Sequence, residues 1–232
     1  MNIPYVRKDE PFPPATSATE QGIVAYGGDL SPGRLLDAYR AGIFPWYNAD
    51  DPILWWSPDP RCLLFVKDFY VNKTLSKRIR NGGFEVKFDH DFKKTINLCR
   101  EVENRVKEGT WLIPEMIEAY ENLHALGYAH SIETYLNGEL VGGLYGVSLG
   151  KAFFGESMFS TIKDASKVAL AALVEFCKTK DFHFIDSQIL TDHMKQMGAV
   201  CINRSQYLNH LNNALQAETY SGSWKNFYPI ES

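Results

Sequence analysis

The chain has 232 residues, 45% of them hydrophobic, which is material for one large domain or for one medium and one small domain. Its formal net charge of −4 argues against a protein that coats nucleic acid, which is usually basic overall, and leaves room only for a local basic patch. No stretch is apolar enough for long enough to span a bilayer, and Met1 to Tyr5 lack the basic start and apolar run of a secretory signal, so a cytoplasmic protein without a membrane partner is expected.

Residues 1–26 are rich in Pro, Thr and Ser and are expected to wrap a surface without regular elements. The first helix should run from Ser31 (N-cap) and Pro32 to a stop at Gly42, with Leu35, Leu36, Tyr39 and Ile43 as its apolar stripe. Dense prolines in Ile43 to Tyr47 and in Pro52 to Arg61 then predict rigid, extended segments that close a small N-terminal domain of residues 1–62. The next region reads as helical: Asn72 to Arg80, Asp91 to Val106 and Pro114 to Leu126. A polar loop, Glu108 to Trp111, separates the last two.

From residue 130 the period changes to that of strands. Ser131 to Leu136 meets Asn137-Gly138, a strong hairpin signal, and Glu139 to Ser148 and Lys151 to Ser157 complete an antiparallel meander. Asp164 should cap a buried helix from Ala165 to Lys178, followed by a strand, Phe182 to Ile189, and a short helix, Asp192 to Met197. Meander, buried helix, strand, helix is the order of the GNAT acyltransferase core. The expected fold is therefore α+β, with a GNAT-like domain over residues 63–232, a mixed sheet, and a cleft where two parallel strands splay apart.

Chemistry concentrates in Phe184-Ile185-Asp186-Ser187-Gln188. Strand alternation puts Asp186 and Gln188 on one face, about 7 Å apart, where a carboxylate and a carboxamide could orient an amine and relay its proton. A polar pair on a solvated sheet face is the plain alternative. Glu156, among aromatics at a strand end, would need a cationic partner if buried, either a substrate group or an internal Arg or Lys. Trp46 and Trp111 sit among turn formers and are candidates for stacking on a nucleobase, with core filling as the other reading. Lys73, Lys77 and Arg80 share one helix face, with Arg78 beside them, and form either a phosphate-backbone contact or an ordinary solvated face.

Several chemistries lack support. There is no GxxxxGK[ST] or GxGxxG loop. Met158 to Lys163 lacks the glycines with which CoA-using members of the GNAT fold cradle pyrophosphate at that point, so the acyl donor is not expected to be acyl-CoA. Cys62, Cys99, Cys177 and Cys201 show no metal spacing and are expected as free, buried thiols.

Eight blocks then resemble the leucyl/phenylalanyl-tRNA–protein transferase family. They are Gly27 to Pro32, Gly42 to Trp46, Leu54 to Arg61, Glu108 to Trp111, Gly127 to Glu133, Val141 to Val147, Gly155 to Ser160 and Ile185 to Gln188, in order from residue 27 to 188. The resemblance implies transfer of Leu or Phe, with Met as a further donor, from aminoacyl-tRNA to the N-terminal amine of proteins beginning with Arg or Lys, which marks them for degradation. It implies that Trp46 and Trp111 hold the 3′-terminal adenosine of the tRNA and that Leu144, Phe153, Ser157, Met158, Cys177 and Ile185 form the aminoacyl pocket. Asp186 and Gln188 match the catalytic strand, Glu156 would face the basic acceptor, and no metal or organic cofactor is expected. Leu144 and Cys177 stand where the family pattern has Met and Phe; both leave the pocket apolar, and the smaller Cys would widen it. An acyl-CoA N-acetyltransferase, from topology alone, and a non-catalytic tRNA- or peptide-binding module are the alternatives.

Overall fold

The computed structural model describes residues 3–101 and 111–227. Its first sheet has four strands: β1 (Tyr5–Val6), β2 (Ile23–Gly27), β3 (Phe44–Pro45) and β4 (Leu54–Trp56), in the order β1-β2-β4-β3. The expectation of an irregular first 26 residues is corrected here. Ile23 to Tyr26 are good strand formers that pair antiparallel with β4, and β1 lies parallel beside β2. Helix α1 (Pro32–Arg40) starts and stops as expected, with Leu35, Leu36 and Tyr39 buried. Its cap differs: the Ser31 hydroxyl and N–H donate to the Asp29 carboxylate, at 2.7 and 3.0 Å, and the Ser31 side chain caps nothing.

The second sheet has seven strands. In chain order the elements are β5 (Arg61–Phe65), α2 (Lys73–Asn81), β6 (Phe84–Phe88), α3 (Phe92–Arg100), α4 (Pro114–Ala125), β7 (Ala129–Leu136), β8 (Glu139–Leu149), β9 (Ala152–Ser160), α5 (Ala165–Thr179), β10 (Phe184–Gln188), α6 (Asp192–Gln196), β11 (Val200–Ile202) and α7 (Arg204–Ala214). The spatial order is β11-β5-β10-β9-β8-β7-β6. Only β9 and β10, joined through α5, run parallel; the other neighbours are antiparallel. The chain is thus α+β with a mixed sheet; the sequence reading had only helices between residues 72 and 126 and did not name β5 or β6. The expected helix to Val106 is described only as far as Arg100, and the loop Glu108 to Thr110 lies outside the described residues.

Strand alternation splits the core between the two sheet faces. Leu144, Phe153 and Ile185 pack with α5 through Leu170, Leu173 and Phe176. Their neighbours Tyr145, Phe154 and Phe184 join the other cluster, with Phe92 and Ile96 of α3 and Met116 and Tyr120 of α4. Among the described residues no helix is long and apolar enough to cross a membrane.

Two features shape the site. Strands β9 and β10 pair over only three residues, 184–186 against 152–154, and then part. At the same point β10 bulges against β5: the register shifts between Asp186 and Gln188, and Gln188 takes φ 56°. One expectation about the cysteines is corrected. Cys99 and Cys177 are buried, but Cys62 and Cys201 form a disulfide, because β11 lies antiparallel to β5 with the two residues directly opposite.

Candidate active site

Beyond the parting of β9 and β10 lies a cleft of about 520 Å3. Its walls bring together the sequence candidates Trp46, Trp111, Glu156 and Gln188. Leu144, Phe153, Ser157, Met158 and Ile185 supply its apolar part, and Leu170 and Leu173 of α5 join them. Trp46 is 44% exposed, with its ring 5.4 Å from that of Trp56, and the Trp56 Nε1–H donates to the Trp46 carbonyl. The cleft can therefore offer one indole to a flat, solvent-borne group and an apolar hollow to a side chain.

Three groups of candidates lie elsewhere. Cys177 is fully buried in the α5 core, one turn beyond Leu173, and does not line the cleft. Lys73, Lys77 and Arg80 point to solvent from α2, Arg78 lies 4.9 Å over the Phe84 ring, and none of the four lines the cleft. Asp186 is fully buried behind the cleft and does not share a face with the Gln188 side chain, because the bulge breaks the alternation between them.

The surroundings of Asp186 were not legible in the sequence. Its Oδ1 accepts from Arg61 Nε and from the Gln188 backbone N–H, both at 2.9 Å. Its Oδ2 accepts from Arg61 Nη2 at 2.8 Å and from the Tyr207 hydroxyl at 2.9 Å. Arg61 is itself fully buried, with its guanidinium 4.7 Å from the Phe44 ring and 4.6 Å from the Tyr207 ring. Burial alone would depress the Arg61 pKa, but the adjoining carboxylate holds it above the ordinary value. The result is a fixed ion pair that grips the backbone of Gln188 in its left-handed conformation.

Among the described residues no Arg or Lys pairs with Glu156. Oε1 accepts from Tyr39 at 2.8 Å and from Gln188 Nε2 at 3.3 Å, and Oε2 accepts from Tyr120 at 2.9 Å. The two phenol oxygens are 2.6 Å apart. Three contacts thus share two hydroxyl protons, and a proton on the carboxyl would complete the triangle. Burial pushes the Glu156 pKa up to about 7, against the pull of the two phenols. Burial, and then the charge of Glu156, hold Tyr39 and Tyr120 well above the usual phenol range, so both remain donors. Sequence reading had Tyr39 in the apolar stripe of α1 and read α4 only as a helix, so neither phenol was singled out.

Other lining residues were missed, His193 among them. His193 of α6 lines the cleft with its Nε2 buried and no partner among the described residues, and burial, then Lys167, lowers its pKa. Among the described residues no group of three or more His, Cys, Asp or Glu is placed to hold a metal ion.

Residues 63–212 match the family model described as leucyl/phenylalanyl-tRNA protein transferase, and residues 28–59 match the N-terminal domain model of that family. A leucyl/phenylalanyl-tRNA–protein transferase of Syntrophotalea carbinolica is 53% identical over 203 residues, covering 88% of each chain. One of Solidesulfovibrio magneticus is 52% identical over 217 residues, covering 93% of this chain and 88% of its own. Among solved structures, an aminoglycoside acetyltransferase from an uncultured soil metagenomic sample, in complex with sisomicin, gives a TM-score of 0.39 at 18% identity, over 50% of this chain and 85% of its own.

Proposed function

Because the chain belongs to the leucyl/phenylalanyl-tRNA–protein transferase family and is an aminoacyltransferase, we propose that it moves Leu or Phe, with Met as a further donor, from aminoacyl-tRNA to the N-terminal amine of proteins beginning with Arg or Lys. The transfer takes place in the cytoplasm and marks the acceptor for degradation. The observation that carries this reading is a single cleft whose walls join two indoles, an apolar hollow and the Gln188–Glu156 pair.

In this reading Trp46 and Trp111 stack on the 3′-terminal adenosine, each stack contributing about 1–3 kcal/mol. Leu144, Phe153, Met158 and Ile185 enclose the Leu or Phe side chain, and the ester carbonyl lies between the hollow and Gln188. The acceptor's amine attacks that carbonyl. A C–N bond forms, the C–O bond to the ribose breaks, and the ribose hydroxyl leaves with a proton. An aminoacyl ester is already activated, so the reaction calls for positioning more than for a strong base, and no metal or organic cofactor enters it.

The incoming α-amine has a pKa of about 7.7–8.0 and must be neutral to attack. Ionised Glu156 only accepts hydrogen bonds, so Gln188 turns Nε2 towards it, which leaves Gln188 Oε1 to accept from the amine. Asp186 has both oxygens engaged and acts through the Gln188 backbone, as a positioning residue. Glu156 supplies the negative charge that attracts a basic first residue, and Lys73, Lys77, Arg78 and Arg80 would meet the tRNA backbone away from the cleft.

The test uses Leu-tRNA labelled in the amino acid and peptides that start with Arg, Lys or Ala. Label should pass to the Arg and Lys peptides and at least tenfold more slowly to the Ala peptide. Equal transfer to all three would remove the acceptor role of Glu156, and transfer to none would end the reading.

A further inference from the structure

The Cys62–Cys201 disulfide joins strands 139 residues apart in sequence, and nothing in the proposed reaction uses it. Its place in the sheet gives it a route to the site. Strand β5 lies between β11 and β10, so Cys62 faces Cys201 on one side and Gln188 on the other, at the register where β10 bulges. The residue before it, Arg61, holds Asp186, and the carbonyl of Cys62 accepts from the Ser187 hydroxyl at 3.0 Å. Beyond the disulfide, β11 leads through Asn203 into α7, whose Tyr207 hydroxyl donates to the same Asp186 carboxylate. Both groups that fix Asp186 therefore sit on the two strands, or their extensions, that the disulfide ties together.

The two sulfurs differ in access. Cys62 is 2% exposed, whereas Cys201 is an exposed residue of a three-residue strand that, among the described residues, pairs only with β5. The exposed residue of the pair is the one an incoming thiolate would attack, with Cys62 as the leaving group.

We propose that Cys62–Cys201 is a thiol–disulfide exchange site that sets the rate of the transferase through β5 and α7; the rate control rests on the functional reading above. A thiolate of a dithiol reductant attacks Cys201 Sγ. The Cys62–Cys201 bond breaks, a mixed disulfide forms at Cys201, and Cys62 leaves as a thiolate that takes a proton. The second thiolate of the reductant attacks the mixed disulfide, closes the reductant's own disulfide and releases Cys201, which takes the second proton. Two electrons and two protons pass to the protein. Once reduced, β11 is held to β5 by hydrogen bonds alone, and Tyr207 and Arg61 lose their shared covalent frame. Arg204, whose Nε donates to the Ser57 carbonyl and whose N–H donates to Asp59, still anchors the start of α7, so the effect is graded and the transferase is slowed without being abolished.

The experiment equilibrates the folded protein with dithiothreitol or with its oxidised form, blocks thiols with iodoacetamide, and reads intact mass and the initial rate of Leu transfer to the Arg peptide. Dithiothreitol should expose two thiols, at 62 and 201, and lower kcat two- to tenfold with KM for the peptide nearly unchanged. Cys201→Ser should show the lower kcat in both conditions and respond to neither. The proposal is overturned if the oxidised sample carries no disulfide, if kcat is equal in the two thiol states, or if Cys201→Ser responds to dithiothreitol as the unaltered chain does. Transfer in neither state overturns the functional reading and the rate control with it, and the thiol count then decides the exchange site by itself.

Discussion

Gln188 is defined by what each end of its amide meets. Nε2 is spent on Glu156, so removing the carboxamide leaves the incoming amine without the acceptor that aligns it. Gln188→Ala should lower kcat about 100-fold, within the range usual for a positioned proton-handling group, with KM for tRNA little changed; steady-state kinetics with each substrate varied separate the two effects. Glu156 has the more legible pH signature. Its pKa of about 7 means that the carboxyl is protonated, and blind to a cation, below that pH. The value of kcat/KM for an Arg peptide should therefore fall as pH drops through 7. Glu156→Gln should erase that inflection and leave only the one near 8 that belongs to the peptide's own amine. Trp46→Ala should raise KM for aminoacyl-tRNA roughly 5- to 150-fold, the equivalent of one lost stack of about 1–3 kcal/mol, and leave the peptide KM unchanged.

At the scale of elements, the pairing of β5 with β10 links stability to the site. Arg61→Met would leave the Asp186 charge buried without its partner and should cost about 3–5 kcal/mol, read as a loss of Tm. Replacing both, as Arg61→Met with Asp186→Leu, should restore much of the stability. Its kcat should stay low, because the Gln188 N–H has lost the acceptor that fixes the left-handed turn. A double variant that recovers both would show that the ion pair serves stability alone. Much of this architecture was readable in advance. The Asn137-Gly138 turn, with both residues at positive φ, and the apolar run Val168 to Val174 of α5 placed the meander and its crossover. Strand β6 was missed although Phe84, Val86 and Phe88 alternate with Glu85 and Lys87, since five residues between two helical patterns make a weak signal. Helix α7 is polar along much of its length and escaped a search for apolar stripes, yet its Asn203–Gln206 capping box was there to be read. Arg61, Tyr207 and the disulfide were not readable: they join positions 125, 21 and 139 residues apart, and strand order rather than local pattern brings them together.

For the molecule as a whole, the disulfide closes a loop of 139 residues, and chain-entropy reasoning gives it a stabilising effect of at most about 5 kcal/mol. Reduction should lower Tm by roughly 5–15 °C, measurable by calorimetry with and without dithiothreitol. We propose that residues 1–62 and 63–232 act as two units with the cleft walled by both, since Phe44, Trp46 and Trp56 come from the first and Glu156 and Gln188 from the second. Isolated family blocks such as Leu54 to Arg61 make sense in this light, because the same short stretch carries Trp56 to the cleft and Arg61 to the back of Asp186. The most direct test of the whole account is a crystal structure with a 3′-amide analogue of leucyl-adenosine, which mimics the ester without reacting. The adenine should lie against the indoles of Trp46 and Trp111, the Leu side chain among Leu144, Phe153 and Met158, and the carbonyl carbon within about 4 Å of Gln188 Oε1. An analogue seated outside the cleft, or one whose carbonyl faces away from Gln188, would contradict it.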